Sequence, residues 1–363
     1  MRVLVFSLTL MSSNAFGSWQ FLSPDPYASD REINGFTSVS TNGSVIGGSS
    51  GRYGFRYTMG SGYQLVDSVG EGLRTHILAL SANGKIATGN ALDGTSRRAS
   101  RWIGNSIYLM GKNSVRDHAD AVASSADGKH AVGRVWYDEF EDSRLPAYWD
   151  SEGNLTVLPL PDEPDVYNAQ AFGVTDDGNT ITVQSSNLIP YLYRRDSGYQ
   201  RLEGFLSGSI KISGDGQHIY GYGGLNSYYD FQLVRWNALG QMEVLGKFPG
   251  EEQTHLSALS RNGQFITGSA RTPGRRNIPF LWTEAGGFVN IAEMLIADGN
   301  DLNGYDLNYA TAISNDGRTI VGWGSRNGAW RPWMAVNSVP EPGTLAALTL
   351  GLGAIFLKSR RKP

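Results

Sequence analysis

The chain has 363 residues, with 46 glycines, 11% aromatic and 18% charged residues, a formal charge of −3 and no cysteine. That composition excludes disulfides and thiolate metal sites, and it fits short strands joined by tight turns far better than a helical or disordered chain. Without residues 1–17 and 340–363, Lys and Arg fall from 31 to 26 and Asp and Glu from 34 to 33, so the body carries −7 with its charges interspersed, which argues against nucleic acid as a partner.

At the amino end, Arg2 precedes the apolar run 3–11, and residues 12–17 are small or polar, with Ala15 and Gly17 in an A-x-A-like arrangement. This is the pattern of a secretory signal peptide. The run is far shorter than the roughly 20 residues of a permanent membrane helix. Cleavage after Gly17 would leave Ser18 at the new terminus, followed by the short alternating strand Trp19-Gln20-Phe21-Leu22.

From there to residue 339 the chain repeats one unit, best seen in residues 312–322, AISNDGRTIVG. An apolar run, a Ser or Thr, an Asx-Gly pair and a second apolar run recur seven times. The pairs are Asn42-Gly43, Asn83-Gly84, Asp127-Gly128, Asp177-Gly178, Asp215-Gly216, Asn262-Gly263 and Asp316-Gly317, spaced by 38 to 54 residues. Asx-Gly between apolar runs signals a hairpin, expected here as a type I′ turn with positive φ at both central residues. Six copies place Gly at the same offset in the second strand, with Val183 the exception. A third strand carries Tyr57, Trp102, Trp149, Tyr193, Trp236, Trp282 or Trp333, read as core, and a second turn leads to a fourth strand.

Repeats of this period with four strands each indicate a propeller. The seventh unit lacks a fourth strand after residue 336, and residues 19–22 are an unpaired strand of that type. The expectation is an all-β, seven-bladed propeller over residues 18–339, closed by the amino-terminal strand; an open β-solenoid is the competing architecture.

Two insertions interrupt the pattern. Residues 137–144, YDEFEDSR, hold four acids but no EF-hand glycine, and read as a solvated loop. Residues 291–309 begin with a short helix over 291–297, followed by Asp298-Gly299-Asn300-Asp301. These acids miss the EF-hand register, so the segment reads as a capping helix and turn.

The position seven residues before each turn pair would lie at one mouth of the channel: Gly35, His76, Asp120, Gln170, Gly208, His255 and Tyr309. His76, Asp120, Gln170, His255 and Tyr309 are therefore candidate ligand-binding residues, set against the plainer reading of polar side chains lining a watery pore. No catalytic residue, cofactor or metal site is expected. No hydrolase, zincin or P-loop motif occurs. The repeat resembles the Asp box of sialidase propellers, but its Gly stands one position early, so sialidase activity is not implied. Glycosidases need two positioned carboxylates, and nothing pairs acids such as Asp120, Glu203 and Asp215.

At the carboxyl end, Val339-Pro340-Glu341-Pro342-Gly343 introduces the apolar run 344–357, and Lys358-Ser359-Arg360-Arg361-Lys362 follows. Its fourteen residues would span about 21 Å as a helix. The basic tail places the body outside the inner membrane. These 24 residues closely resemble the PEP-CTERM sorting signal, with Pro340, Glu341 and Pro342 matching the motif. The resemblance implies Gram-negative export, an inner-membrane-anchored precursor with the propeller in the periplasm, and recognition and tail removal by an exosortase. It further implies release to, or retention at, an exopolysaccharide-rich cell surface. The body resembles HAF-repeat proteins often joined to this tail, for which no catalytic residues are implied. A non-catalytic matrix or binding role follows, toward exopolysaccharide or surface proteins; the alternative is a polysaccharide-active hydrolase or lyase on the same scaffold.

Overall fold

In all seven units the Ser or Thr hydroxyl donates to the Asx side-chain oxygen two residues on, at 2.5–2.9 Å. The same oxygen accepts the backbone N–H two residues past the Asx, for example Lys129 N at 2.9 Å. In the first unit Gly43 N donates to Ser40 O at 3.0 Å, and Gly43 has φ +74°, whereas Asn42 stays out of the positive-φ region. The turn is therefore a type I turn followed by a left-handed glycine, not the expected type I′. The Asx contributes an acceptor, which Asn and Asp supply equally, so either type serves.

The computed structural model describes residues 18–24, 33–70, 73–111, 118–136, 144–227 and 229–338. The signal segment 1–17, the acidic stretch 137–143, Pro340, Glu341, Pro342 and the expected membrane helix 344–357 lie outside the described residues. Among the described residues no helix is long and apolar enough to cross a membrane.

The hairpins grow into seven antiparallel sheets in which the strands of one unit neighbour one another in chain order; six have four strands, that of the seventh unit with the help of the amino-terminal strand, and that of the fifth unit has five. The seven sheets cover residues 33–65, 75–109, 119–157, 169–201, 205–246, 253–290 and 305–338, called blades 1 to 7. In six blades the first strand carries a β-bulge near its middle, such as that between Ala121 and Ala123. The bulge increases the twist that a blade needs beside the axis. The recurrent glycine of blade 3 sits against the first strand: a Cβ on Gly133 would stand 1.9 Å from the carbonyl oxygen of Asp120. Blade 5 departs from the pattern, because its innermost edge is split into Phe205–Leu206 and Lys211–Ile212.

The third-strand aromatics fill the space between blades. Trp102, Trp149 and Trp333 are fully buried. Trp102, Trp149 and Trp236 each donate their indole N–H at 2.9 Å to a carbonyl of the connection from the preceding blade, at Asp67, Gly111 and Glu203. Burying such rings with their one polar atom paired supplies both apolar area and registry. Beside two of these rings an arginine clamps the next blade. Arg56 donates to carbonyls of Lys85, Trp102 and Gly104, and Arg101 to those of Lys129, Asp150 and Ser151.

Ser18–Leu22 pairs antiparallel with Ala329–Ser338 as the outer strand of blade 7, from Ser18 opposite Ser338 to Leu22 opposite Met334. The ring thus closes as the missing fourth strand predicted. The helix Ile291–Ala297 forms over the expected residues, with Asn290 as its N-cap. The turn behind it holds the closing strand: Asp298 accepts from Trp19 N and Asn300 from Phe21 N, both at 2.8 Å.

Candidate functional site

The first strands converge on the axis and line a channel of about 190 Å³ with residues from every blade. Its two ends are built differently. At the hairpin end a belt of hydrogen bonds runs round the ring. Thr41 N donates to Ala82 O, Ala82 N to Ala126 O, Asp176 N to Gly214 O, Gly214 N to Arg261 O and Asn315 N to Thr41 O, at 2.7–2.9 Å. Side chains complete the belt, with Ala126 N donating to Asp176 Oδ1 and Asn262 N to Asn315 Oδ1, each at 2.7 Å. Arg261 crosses this mouth from blade 6 to pair with Asp176 of blade 4 and to donate to Ser124 O of blade 3 at 2.9 Å.

The opposite mouth carries the residues singled out from sequence. Each faces a cross-strand partner seven residues after the turn pair: His76 opposite Asn90, Asp120 opposite Arg134, Gln170 opposite Gln184, His255 opposite Ser269 and Tyr309 opposite Trp323. The mouth is therefore a double ring. Sequence reasoning missed its second member, although the same count downstream of the turn would have found it.

The double ring divides into separate neighbourhoods. Across blades 2 to 4, Asp120, almost fully buried, accepts from Asn90 Nδ2 at 2.8 Å, Arg134 Nη2 at 2.9 Å and Nε at 3.1 Å, and Arg97 Nη1 at 3.5 Å. Arg134 also donates to Gln170 Oε1 at 2.7 Å and stacks its guanidinium over Trp136 at 5.1 Å. Asp120 and Gln170 are thus joined through Arg134. Burial lowers the His76 pKa, and Arg97 and Arg74 lower it further against a smaller opposing effect of Asp120, so the ring is neutral at pH 7.

His255 lies apart from this network. Its ring sits 5.0 Å from that of Tyr222 and 5.3 Å from that of Phe231, and Nε2 lies 3.3 Å from Gln253 Oε1. Burial and then Arg271 lower its pKa. The two imidazoles and Asp120 do not form one ligand set; among the described residues no group of three or more His, Asp or Glu is placed to hold a metal.

In blade 7, Tyr309 stacks on Trp323 with centroids 4.4 Å apart and planes at 19°, and Trp330 meets Trp323 edge-on at 4.7 Å. Trp330 is 45% exposed. A Cβ on Gly35 of blade 1 would lie 3.5 Å from the Trp323 ring, so this ring position is bare where the indole passes. The three rings form an aromatic shelf at the channel mouth.

The PEP-CTERM protein-sorting motif matches residues 338–362. No curated protein matches the chain. Among solved structures, the chain resembles the Cps50 (Swd1) β-propeller domain of Myceliophteria thermophila, with 11% identity, TM-score 0.55 and coverage of 86% of this chain and 99% of that one. It also resembles a chain of a mitotic checkpoint complex, with 14% identity, TM-score 0.53 and coverage of 94% and 100%. TolB from Acinetobacter baumannii matches at 17% identity and TM-score 0.47 over 70% of this chain, which spans only 61% of TolB. The first two likenesses concern the fold alone. What the sequence motif and the seven sheets establish together is an exported protein that carries a PEP-CTERM sorting signal behind a seven-bladed β-propeller.

Proposed function

We propose that this protein is a non-catalytic polysaccharide-interaction or matrix component of the cell surface. An exosortase recognises Pro340-Glu341-Pro342 in an inner-membrane-anchored precursor and removes the tail. The observation that carries the binding role is the shelf of Tyr309, Trp323 and Trp330. Flat, partly exposed rings present the apolar surface on which the C–H face of a pyranose rests, and each of the three carries one polar atom. The state of Asp120 supports binding over hydrolysis or lysis: four donor nitrogens from three side chains occupy this carboxylate. Glycoside hydrolysis needs two carboxyl groups flanking one bond, one of them free to move a proton.

The test is incubation of the purified protein with the host's own exopolysaccharide, following both retention on the polymer and polymer size. Retention without shortening is expected. Shortening of the polymer would establish the hydrolase or lyase instead, and absence of retention would remove the polysaccharide role and leave surface proteins as the partners to capture.

A further inference from the structure

The channel wall is built from apolar and hydroxyl-bearing side chains and carries two cations, Lys211 and Arg261. Four residues before each turn pair stand Ser38, Ala79, Ala123, Gly173, Lys211, Ala258 and Ala312, and all seven line the same space. Lys211 occurs where blade 5 breaks its innermost strand, so the irregular strand and the irregular residue coincide. Protein surrounds Lys211, yet it keeps accessible surface, and the space it borders is the channel. No carboxylate pairs with it among the described residues.

The other charged side chain in the lining is Arg261, itself a cation, whose partner Asp176 is already shared with Ala126 N. The remaining lining residues are apolar or carry hydroxyls, and the Ser38 and Ser124 hydroxyls are buried without a hydrogen-bond partner. Tyr220 lies opposite Lys211 in the strand pair, and burial holds its phenol neutral. An ammonium held among protein atoms with no counter-charge is costly unless an anion accompanies it. We infer that the channel is a binding site for a small oxyanion, held by Lys211 and closed at the hairpin end by Arg261. Tyr309, Trp323 and Trp330 are not among the residues that line this space, so the site is independent of the aromatic shelf.

Burial lowers the Lys211 pKa to about 8. The ammonium is therefore present below that value and lost above it, and anion affinity should weaken as pH rises through 8 to 9. Tyr220, whose pKa is raised by burial, stays neutral over that range.

The test is calorimetric titration of the full protein with inorganic phosphate, and separately with acetate, at pH 7 and pH 9. Binding at pH 7 that falls at least tenfold at pH 9, is lost in Lys211→Met and is kept in Lys211→Arg is the expected result. Melting curves with and without phosphate keep the test valid if Lys211→Met is destabilised: phosphate should raise the melting temperature of the parent and not of the variant. Equal responses of parent and Lys211→Met, or no binding of either anion at millimolar concentration, would overturn the inference. Preference between phosphate and acetate decides whether the site suits a tetrahedral or a planar anion. The exposed Lys129 serves as control, and Lys129→Ala should bind as the parent does.

Discussion

Asn300 donates its side-chain amide to the carbonyl of Trp19 at 2.8 Å, across 281 residues of chain. The same amide donates to Leu295 O at 2.8 Å, and its oxygen accepts from Phe21 N. One side chain therefore ties the helix, its exit turn and the strand that closes the ring. Asn300→Ala should cost about 1–3 kcal/mol, because it leaves backbone groups of the closing strand unpaired. The check is the urea midpoint, with an unchanged m-value indicating that the ring still closes.

Loss of the shelf should separate binding from folding. Trp330 is the exposed ring, and Trp330→Ala is expected to leave the melting temperature within a few degrees while weakening retention on exopolysaccharide by roughly tenfold or more. Trp149→Ala, at a fully buried core position in blade 3, should do the reverse. It should cost about 3–5 kcal/mol of stability, read as a large fall in the urea midpoint.

Asp120 should behave as a structural ion-pair acceptor. Asp120→Asn keeps its shape but removes the charge facing Arg134 and Arg97, which are partly exposed; solvent relieves them, so the expected loss is about 1–3 kcal/mol. If Asp120 were instead a catalytic acid or base, the same substitution would abolish a depolymerising activity without a comparable loss of stability.

The turn aspartates set an acid limit. The Thr175 hydroxyl, then the Asn179 N–H, hold Asp177 below the usual carboxylate range, and the Ser213 hydroxyl and the Gln217 N–H do the same for Asp215. A folded-state pKa depressed below its unfolded value gives stability that is complete above the unfolded value and is lost as pH falls through the folded one. Stability should therefore decline below the usual carboxylate range, near pH 4 and under. The double substitution Asp177→Asn with Asp215→Asn should flatten that decline while preserving both turns, since Asn fills the same role at 42, 83 and 262. Urea midpoints between pH 2 and pH 7 measure the slope.

Tail removal has a direct check. The protein isolated from a strain with its sorting peptidase should lack the mass of the segment beyond Pro340-Glu341-Pro342, and that from a strain without it should retain that mass. An intact tail in both strains would contradict exosortase processing.

The blades were legible in the sequence because a hairpin is local: Ser40, Asn42 and Gly43 determine their turn within four residues, and the signal repeats seven times. Ring closure was legible for a similar reason, as an unpaired strand at residues 19–22 matched an absent one after residue 336. The turn type was not, because Asx and Gly in sequence suit either a type I′ turn or a type I turn with a left-handed glycine; the Ser hydroxyl bonded to the Asx oxygen favours the second. The mouth residues were half legible. A count from the turn found His76, Asp120 and Tyr309, but Asn90, Arg134 and Trp323 enter through cross-strand pairing. The long-range partners of Arg261 had no local signal, since Ser124 stands 137 residues away. Lys211 was visible only as one lysine among small residues, and becomes significant once the seven first strands share an axis.

The closing strand has a mechanical consequence. The chain leaves the propeller at Ser338, the end of the strand Ala329–Ser338, and that strand is flanked on both sides: eight residue pairs join it to Thr319–Arg326 and five to Ser18–Leu22. Had the ring been left open there, the exit strand would have been an edge, free to unzip when the tail is pulled. With the amino-terminal strand laid against it, tension applied to the chain beyond Ser338 has to strip two ladders together, so blade 7 is reinforced against peeling.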